Sequence, residues 1–460
     1  MLHPDRLLPP DPATRAVARD LLAGVQSLPL VCPHGHTDPR WWGEDPAFPD
    51  AAELLVIPDH YVVRMLVSQG VPFEALGIGM GAETDRRAVW RTFASHYPLF
   101  RGTPSRMWID HALSEVFGLR ERPSAANADA QFDAIGEMLA TPAFRPRALY
   151  DRFGIEVIAT TDDALSDLRH HEHAQGWHGR VIPTYRPDAV TDPEAEGYAE
   201  NVERLGDLTG EDATSWRGYL AAHRRRRLWF SDRGATATDH GHPTAATLDL
   251  EEAQASALFQ RALRGHADAS EAEALRAQML TEFARMSLDD GLVMQLHAGS
   301  RRNHSRGVLR RYGRDRGFDI PARTDWVGGL RPLLNAVGMD PRLTLILFTL
   351  DESSYARELA PLAGAYPCLR LGPPWWFHDS PEGMRRFREQ ALETAGFENT
   401  AGFNDDTRAL PSIPARHDVA RRVDCAMLAE LVTTHRLDEA EAHAIAPRLA
   451  VGLAREAYRL

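Results

Sequence analysis

The sequence predicts an α/β protein whose eight parallel strands close into a (β/α)8 barrel. Short apolar or β-branched runs alternate along the chain with longer helical stretches, which is the pattern of a parallel sheet covered by helices. Because eight βα units are the number that forms this barrel, we predict that architecture. The eight runs lie at about 28–33, 155–160, 181–185, 234–238, 291–296, 343–349, 368–372 and 401–404.

Chemically capable side chains follow every one of these runs. A (β/α)8 barrel builds its active site at the C-terminal ends of its strands. Chance would place one or two such groups there, so their presence after all eight runs favours a functional face over a set of polar caps. In chain order they are His34 and His36; Asp162 and Asp163; Arg186; Asp239 and His240; His297; Asp351; Trp375 and Trp376; and Asp405, Asp406 and Arg408.

The interval between the first and second runs is too long for a βα connection. It carries helical patterning around 61–69, 86–97 and 126–140. We therefore predict an N-terminal segment with the first barrel strand over 1–39, a helical insertion over 40–150 and the remainder of the barrel over 151–460.

Composition limits the partners and the compartment. The net charge of −13 argues against a nucleic acid or an anionic membrane as a partner, since both require a basic surface. Three separated cysteines, Cys32, Cys368 and Cys425, form neither a disulfide scaffold nor a thiolate zinc knuckle. With no apolar run of membrane-spanning length and no secretory leader pattern, we expect a cytoplasmic protein.

The chain contains no lysine, because all 52 of its Lys-plus-Arg residues are arginine. Schiff-base aldolases, pyridoxal-phosphate enzymes and P-loop nucleotidases each need a lysine amine. These three classes of enzyme are therefore excluded.

A possible metal site begins directly after the first run, at His34 and His36. Two positions apart in extended backbone, both imidazoles point to the same side. Neutral imidazole is a common ligand of zinc-like metals, and two of them need a carboxylate to complete a site. Paired histidines are also typical of solvated surfaces, so the pair alone leaves both interpretations open.

Taken together, six segments of the chain resemble the uronate isomerase (glucuronate isomerase) family of the amidohydrolase superfamily. The resemblance implies a distorted (β/α)8 barrel with a helical insertion, which converts glucuronate and galacturonate to fructuronate and tagaturonate. One position departs from the family pattern, because many relatives carry Asp where this chain has Cys32. The segments are Cys-Pro-His-Gly-His-Thr-Asp-Pro-Arg at 32–40, Asp-His-Tyr at 59–61, Thr-Asp-Asp at 161–163, Tyr-Arg-Pro-Asp at 185–188, Trp-Trp-Phe at 375–377 and Asp-Thr-Arg at 406–408.

The resemblance also implies a single divalent metal ion, which we expect to be zinc. Many binuclear relatives in the superfamily bridge two metals through a carboxylated lysine, which this chain lacks. We expect His34, His36 and Asp406 as ligands, because the eighth strand of a closed barrel lies beside the first. His297 is either a further ligand or a hydrogen-bond donor, and a core histidine with satisfied nitrogens is the alternative.

Proton transfer at carbon is assigned to Tyr61 by the resemblance. A phenol with a pKa of about 10 is a poor base at neutral pH, so a metal or an arginine would have to lower that pKa. Asp406 could instead move protons among substrate oxygens. Together with His297 and Asp239, these residues form the predicted catalytic set.

The predicted substrate-binding residues are Arg186, Arg408, His60, Trp375 and Trp376. Arg186 and Arg408 offer bidentate guanidinium groups to the uronate carboxylate. His60, Asp239 and one of the two tryptophans would orient hydroxyls or form a wall, although tryptophans also fill cores without any such role.

Two other classes of function remain open at this stage. A barrel of this kind also carries metal-dependent hydrolases and decarboxylases. A catalytically silent binding protein would require a lost ligand, and none of the expected ligands is lost. We expect a small uronate as the partner and a homo-oligomer as the assembly.

Overall fold

The computed structural model describes residues 2–81, 84–353, 355–375 and 378–460, which form a mixed α/β structure with parallel sheets. Its strands are β1 (Leu30–Cys32), β2 (Ile155–Ala159), β3 (Asp162–Asp163), β4 (Val181–Ile182), β5 (Tyr185–Arg186), β6 (Ala237–His240), β7 (Val293–His297), β8 (Ser300–Arg301), β9 (Ile320–Pro321), β10 (Leu345–Phe348) and β11 (Leu369–Leu371).

The strands pair in the order in which they occur along the chain. One sheet has the order β1-β2-β4, a second has the order β11-β10-β7-β6-β5-β3, and all of these pairings are parallel. The two sheets are continuous, because the backbone N–H groups of Thr160 and Asp162 donate to the carbonyls of Ile182 and Thr184 at 3.0 Å. Strands β8 and β9 form a separate antiparallel pair.

Seven of the eight predicted runs contain or overlap strands, none with the predicted bounds. The first run is reduced to β1, the third is divided into β4 and β5, and the fourth is shifted towards its C-terminus as β6. The third run contains Pro183, which has no backbone N–H to give to a ladder, and the division falls at this residue.

The eighth run, 401–404, does not form a strand. It follows a single bridge between Thr400 and Leu371, after which Gly402 adopts a left-handed φ of 73°. A side chain at Gly402 would place its Cβ 2.9 Å from the backbone nitrogen of Ala454, so glycine is needed here and the extended conformation ends. Among the described residues, no ladder joins β1 to β11, so barrel closure is not detected.

Helices cover the sheets and fill the interval between β1 and β2, and α4, α5 and α7 confirm the helical patterning predicted there. The α-helices are α1 (Pro12–Val25), α2 (Pro39–Glu44), α3 (Ala51–Leu55), α4 (His60–Ser68), α5 (Arg86–His96), α6 (Pro104–His111), α7 (Ala128–Leu139), α8 (Pro146–Phe153), α9 (Arg169–His173), α10 (Asp188–Thr191), α11 (Tyr198–Thr209), α12 (Trp216–Ser231), α13 (Glu252–Leu263), α14 (Ala269–Asp290), α15 (Arg306–Tyr312), α16 (Trp326–Val337), α17 (Ala356–Ala365), α18 (Pro381–Leu392), α19 (Ile413–Thr433), α20 (Glu439–Pro447) and α21 (Leu453–Tyr458).

The hydrophobic core is divided into several clusters. The helices between β1 and β2 pack around Trp42, Trp90 and Phe93, all fully buried. A larger cluster joins strands β5, β7, β10 and β11 to helices α10–α14 and α16–α18. None of the helices formed by the described residues is long and apolar enough to cross a membrane.

Candidate active site

A cavity of about 610 Å³ opens where the strands end and α4 faces them. Nine of the predicted site residues line it, whereas Asp239 is fully buried behind it and Trp376 lies outside the described residues. The cavity therefore collects residues from both ends of the chain. The nine are His34, His36, His60, Tyr61, Arg186, His297, Trp375, Asp406 and Arg408.

Three of these residues converge as a possible set of metal ligands. The Oδ1 atom of Asp406 lies 3.4 Å from Nε2 of His34 and 3.3 Å from Nε2 of His36. This Oδ1 atom is buried and has no hydrogen-bond partner among the described residues. Two imidazole nitrogens and a carboxylate oxygen facing one point form a suitable donor set for a zinc-like ion.

The backbone holds this set in place from two directions. His34 and His36 follow β1, and the N–H group of His36 donates to the carbonyl of Thr407 at 3.0 Å. Asp406 has a left-handed φ of 44°, a conformation that non-glycine residues adopt rarely and that is common at functional sites. The segment after 401–404 is therefore tied to the end of the first strand although it forms no ladder.

Electrostatics in this cluster favour an ionised carboxylate. Burial alone would raise the pKa of Asp406, but the neighbouring imidazoles of His34 and His36 hold it well below its usual range. Burial lowers the pKa of His36 to about 4, which keeps that imidazole neutral. The pKa of His34 is raised, because Asp406 and Asp239 outweigh the effect of its burial.

A second polar cluster links β6 and β7. Nδ1 of His297 lies 2.6 Å from Oδ1 of Asp239, and Nη1 of Arg186 lies 3.0 Å from Oδ2 of the same carboxylate. Burial would raise the pKa of Asp239, but Arg186 and His297 bring it well below its ordinary value. Arg186 is also hydrogen-bonded to Asp188 at 2.8 Å.

His297 connects the two clusters. Its ring stacks on that of His34 with the centroids 4.6 Å apart, and its buried Nε2 atom has no hydrogen-bond partner among the described residues. His34, Asp239 and His297 form a second group with ligand atoms close enough to share an ion. Since Nδ1 of His297 is directed to Asp239, only Nε2 is left to face the cavity.

The opposite wall is supplied by α4, whose first residues are His60 and Tyr61. The carboxylate of Asp59 caps this helix by accepting from the backbone nitrogen of Tyr61 at 2.8 Å. The Tyr61 hydroxyl donates to the carboxylate of Asp379, 3.3 Å from Oδ2 and 3.5 Å from Oδ1. This contact places the phenol against a buried carboxylate.

The pKa of Tyr61 moves in the direction opposite to the one that a simple base would need. Burial raises it well above its usual range, and Asp379 raises it further, against the opposing charge of Arg416. Burial also lowers the pKa of His60 to about 3, so its ring is neutral. Tyr61 is therefore a neutral phenol in this structure.

Arg408 has more freedom than Arg186. Its side chain is 39% exposed, and its guanidinium lies 3.5 Å from Asp315. Sequence reasoning gave no role to several other charged residues that line the cavity. Asp59 and Asp188 belong to the quoted segments, whereas the others carry no recognised motif. The others are Asp192, Glu196, Arg276, Arg302, Arg314, Asp315, Asp319 and Arg416.

Cys32, the position that departs from the family pattern, is the last residue of β1. Its buried Sγ atom is 3.6 Å from Nε2 of His417, which in turn lies 3.4 Å from Oδ2 of Asp405. Burial and the charge of Asp405 raise the pKa of the Cys32 thiol well above its usual range, so the cysteine is a neutral packing residue in this structure.

Comparison with known proteins identifies relatives over the whole chain. A family model described as glucuronate isomerase matches residues 13–448. The chain is 62% identical to a uronate isomerase of Rhizobium meliloti, covering 100% of this chain and 99% of the relative.

Solved structures agree with this result. A glucuronate isomerase from Caulobacter crescentus matches with a TM-score of 0.98 and 58% identity, covering 100% of this chain and 97% of the other. A uronate isomerase from Thermotoga maritima matches with a TM-score of 0.93 and 28% identity, covering 100% and 99%.

Proposed function

The chain belongs to the glucuronate isomerase family and is an aldose–ketose isomerase, and we propose that its cavity interconverts D-glucuronate with D-fructuronate and D-galacturonate with D-tagaturonate. The observation that carries this proposal is one cavity in which an imidazole–carboxylate cluster faces a tyrosine and several arginines. A uronate needs cations for its carboxylate and polar groups around C1 and C2. The family match favours this reaction over the hydrolase and decarboxylase alternatives.

A divalent metal ion, which we propose to be zinc, fits the cluster formed by His34, His36 and Asp406. The buried Oδ1 atom of Asp406 lacks a hydrogen-bond donor, and both Nε2 atoms are directed towards it. When bound, such an ion polarises substrate oxygens and favours the charge that develops on them. His297 is either a further ligand through Nε2 or a donor to a substrate oxygen.

Substrate binding is proposed to depend on the arginines. Arg408 has the exposure needed to reach the uronate carboxylate, while Arg186 contributes the donors that Asp188 and Asp239 leave available. His60 and Trp375 line the cavity and would orient hydroxyls or form its wall. Asp239 does not reach the cavity, so its proposed role is to hold His297 and Arg186.

Isomerisation moves one proton from C2 to C1 and another from O2 to O1 through an enediol. Tyr61 is the proposed group for the proton on carbon. Asp406 is the proposed group for protons on oxygen, because its carboxylate is ionised and lines the cavity. Removal of bulk water from the cavity would strengthen each of these polar interactions.

We also propose a distorted (β/α)8 barrel with the insertion over 40–150, a cytoplasmic location and a homo-oligomer. The consecutive parallel order and the bond between His36 and Thr407 support the barrel. The three buried free cysteines are consistent with a reducing compartment. Light scattering of the purified protein tests the assembly.

Proton NMR in deuterated water tests the function directly. The purified protein, supplied with zinc, is incubated with D-glucuronate and then with D-galacturonate. We expect the 2-keto product, with deuterium entering at C1 as the enediol exchanges with solvent. If neither uronate gives product, the proposed substrates are wrong.

A further inference from the structure

Asp379 is a buried carboxylate that no sequence motif indicated. It lies just before α18, and only 7% of its surface is exposed. The nearest charged partner is Arg416 of α19, whose Nη1 donates to Oδ2 of Asp379 and also, at 3.1 Å, to the carbonyl of Asp405. The guanidinium of Arg416 stacks on Trp108 at 3.7 Å from the ring centroid. The carboxylate is therefore held in one place.

Tyr61 is directed at this carboxylate from the cavity side. Its hydroxyl lies 3.3 Å from Oδ2 and 3.5 Å from Oδ1 of Asp379, and Tyr61 itself lines the cavity. A chain of groups thus runs from the cavity through the phenol to a buried carboxylate. The residues are 318 positions apart in the sequence, so only the fold creates this chain.

We propose that Asp379 is the positioning residue for Tyr61, accepting the phenolic proton while Tyr61 takes a proton from the substrate carbon. This inference rests on the proposed function, because it deepens the role of Tyr61 in the same reaction. Arg416 serves the relay by fixing the carboxylate in its orientation.

The step balances without any other reactant. The C2–H bond breaks, its electron pair becomes the C1=C2 bond of the enediolate, and the negative charge moves to the oxygen on C1. The proton from C2 goes to the Tyr61 oxygen while the phenolic proton goes to Asp379. In the second half, Asp406 moves the proton from O2 to the oxygen on C1, and the electron pair of the O2–H bond forms the C2=O bond. The electron pair of the C1=C2 bond takes a proton at C1 from Tyr61, which regains a proton from Asp379.

A relay also explains how Tyr61 can take a proton from carbon although its pKa is raised. A free tyrosinate is disfavoured, because burial raises the pKa of Tyr61 well above its usual range. In a relay the phenol gains one proton as it loses another, so no free tyrosinate forms. The charged and titratable groups facing Asp379 are Tyr61 from α4, Arg416 from α19 and Asp406 from the segment after 401–404.

The first experiment measures kcat and KM for glucuronate with Asp379→Asn, Tyr61→Phe and the double variant. Asparagine preserves the size of Asp379 but cannot accept the proton. We expect kcat to fall about 100-fold in Asp379→Asn with KM changed less than about threefold, since general base catalysis contributes about 10² to 10⁴. The double variant should be no slower than Tyr61→Phe, because both changes remove the same relay.

Glu352→Gln provides the matched control. Glu352 is a buried carboxylate that is hydrogen-bonded to Nε of Arg386 at 2.8 Å and lies 3.0 Å from His378, but it does not line the cavity. We expect kcat close to that of the unmodified protein. Bound metal is measured in every variant, so that a loss of metal is recognised.

Two kinetic results would overturn the relay. One is an Asp379→Asn variant whose kcat lies within threefold of the unmodified protein. The other is a double variant slower than Tyr61→Phe by the full Asp379→Asn factor, which would mean independent roles. If the unmodified protein converts neither uronate, the proposed function fails; if it is active and the variants give either result above, only the relay fails.

The unmodified protein supplies an independent test if Asp379→Asn does not fold. Rates are measured with glucuronate carrying hydrogen or deuterium at C2, each in ordinary and in deuterated water. The relay moves both protons in one step, so we expect both isotopes to slow kcat/KM and the solvent effect to persist with the deuterated sugar. A deuterium effect at C2 without any solvent effect would contradict the relay.

Discussion

The two walls of the cavity are held by different physical means. The strand-end wall, defined by His34, His36, His297 and Asp406 with Asp239 buried behind it, is built on backbone that is paired in sheets or tied to them. The α4 wall carries His60 and Tyr61 on a short helix whose apolar side is buried in the core, and a helix cap and the hydroxyl contact of Tyr61 to Asp379 orient its polar side chains. The strand-end wall is therefore suited to fixed polar geometry. In the α4 wall, the helix cap and the contact to Asp379 are side-chain interactions that can be changed separately.

The largest effect is expected from His36→Ala, which breaks the strand-end wall at its proposed metal ligand. Bound zinc, measured by mass spectrometry, should be lost, and kcat should fall about 1,000-fold or more, because a Lewis acid contributes several kcal/mol. His178→Ala is the control, since this exposed histidine pairs with Asp151 at 2.7 Å and does not line the cavity. An active, zinc-free His36→Ala variant would show that the wall does not hold the ion.

A smaller effect is expected from Asp239→Asn. This change leaves the proposed metal ligands of the strand-end wall intact but removes the buried negative charge behind them. Arg186 and His297 lose their shared anionic partner, which is fully buried. We expect kcat/KM to fall about 10- to 100-fold and the free energy of unfolding to fall by about 3 kcal/mol. Urea titration and steady-state kinetics measure the two losses; a variant of normal stability and activity would contradict them.

The pH dependence of kcat tests whether the α4 wall needs an ionised carboxylate at Asp379. Burial raises the pKa of Asp379 to about 6, so the carboxylate can accept a proton above pH 6 but is already protonated below it. We therefore expect kcat to fall about tenfold per pH unit below this pKa. The acid limb should be absent in Asp379→Asn at pH values where bound metal is unchanged; an identical limb in both proteins would assign it to another group.

The smallest effect is expected from Asp59→Ala, which removes the cap that begins α4. Loss of such a cap costs about 1 kcal/mol of stability. We expect kcat to fall about three- to tenfold as well, because Tyr61 is displaced slightly from its working position. Asp85→Ala is the matched control: it uncaps α5, which does not line the cavity, and should lower the stability by a similar amount without lowering kcat.

Sequence patterns located most strands, because a short run of apolar residues indicates a buried strand without any knowledge of distant residues. Strands β1, β2, β10 and β11 each fall within a predicted run. The run at 401–404 has similar composition but meets Ala454 at close range, and Gly402 turns the chain there. That contact involves residues distant in sequence, so the local pattern could not reveal it.

The residues of the candidate site also differ in whether the sequence alone could reveal them. The pair His34 and His36 can be recognised from the sequence, because side chains two positions apart in extended backbone point to the same side. Asp379 and Arg416 carry none: they lie outside the quoted motifs, and their relation to Tyr61 exists only after α4 and α19 pack together. Asp239 was predicted from its place after a strand, but its burial behind His297 could be seen only in the fold.

The sequence by itself determined the α/β class, the positions of seven strand-containing runs, the family and the side chains available for chemistry. These follow from local periodicity and from motifs, which need only neighbouring residues to be recognised. The tertiary structure alone decided that Asp406 meets both histidines, that Asp239 lies behind the cavity and that Tyr61 is paired with Asp379. The physical reason is that charge, burial and proton affinity depend on which distant groups are packed against a side chain.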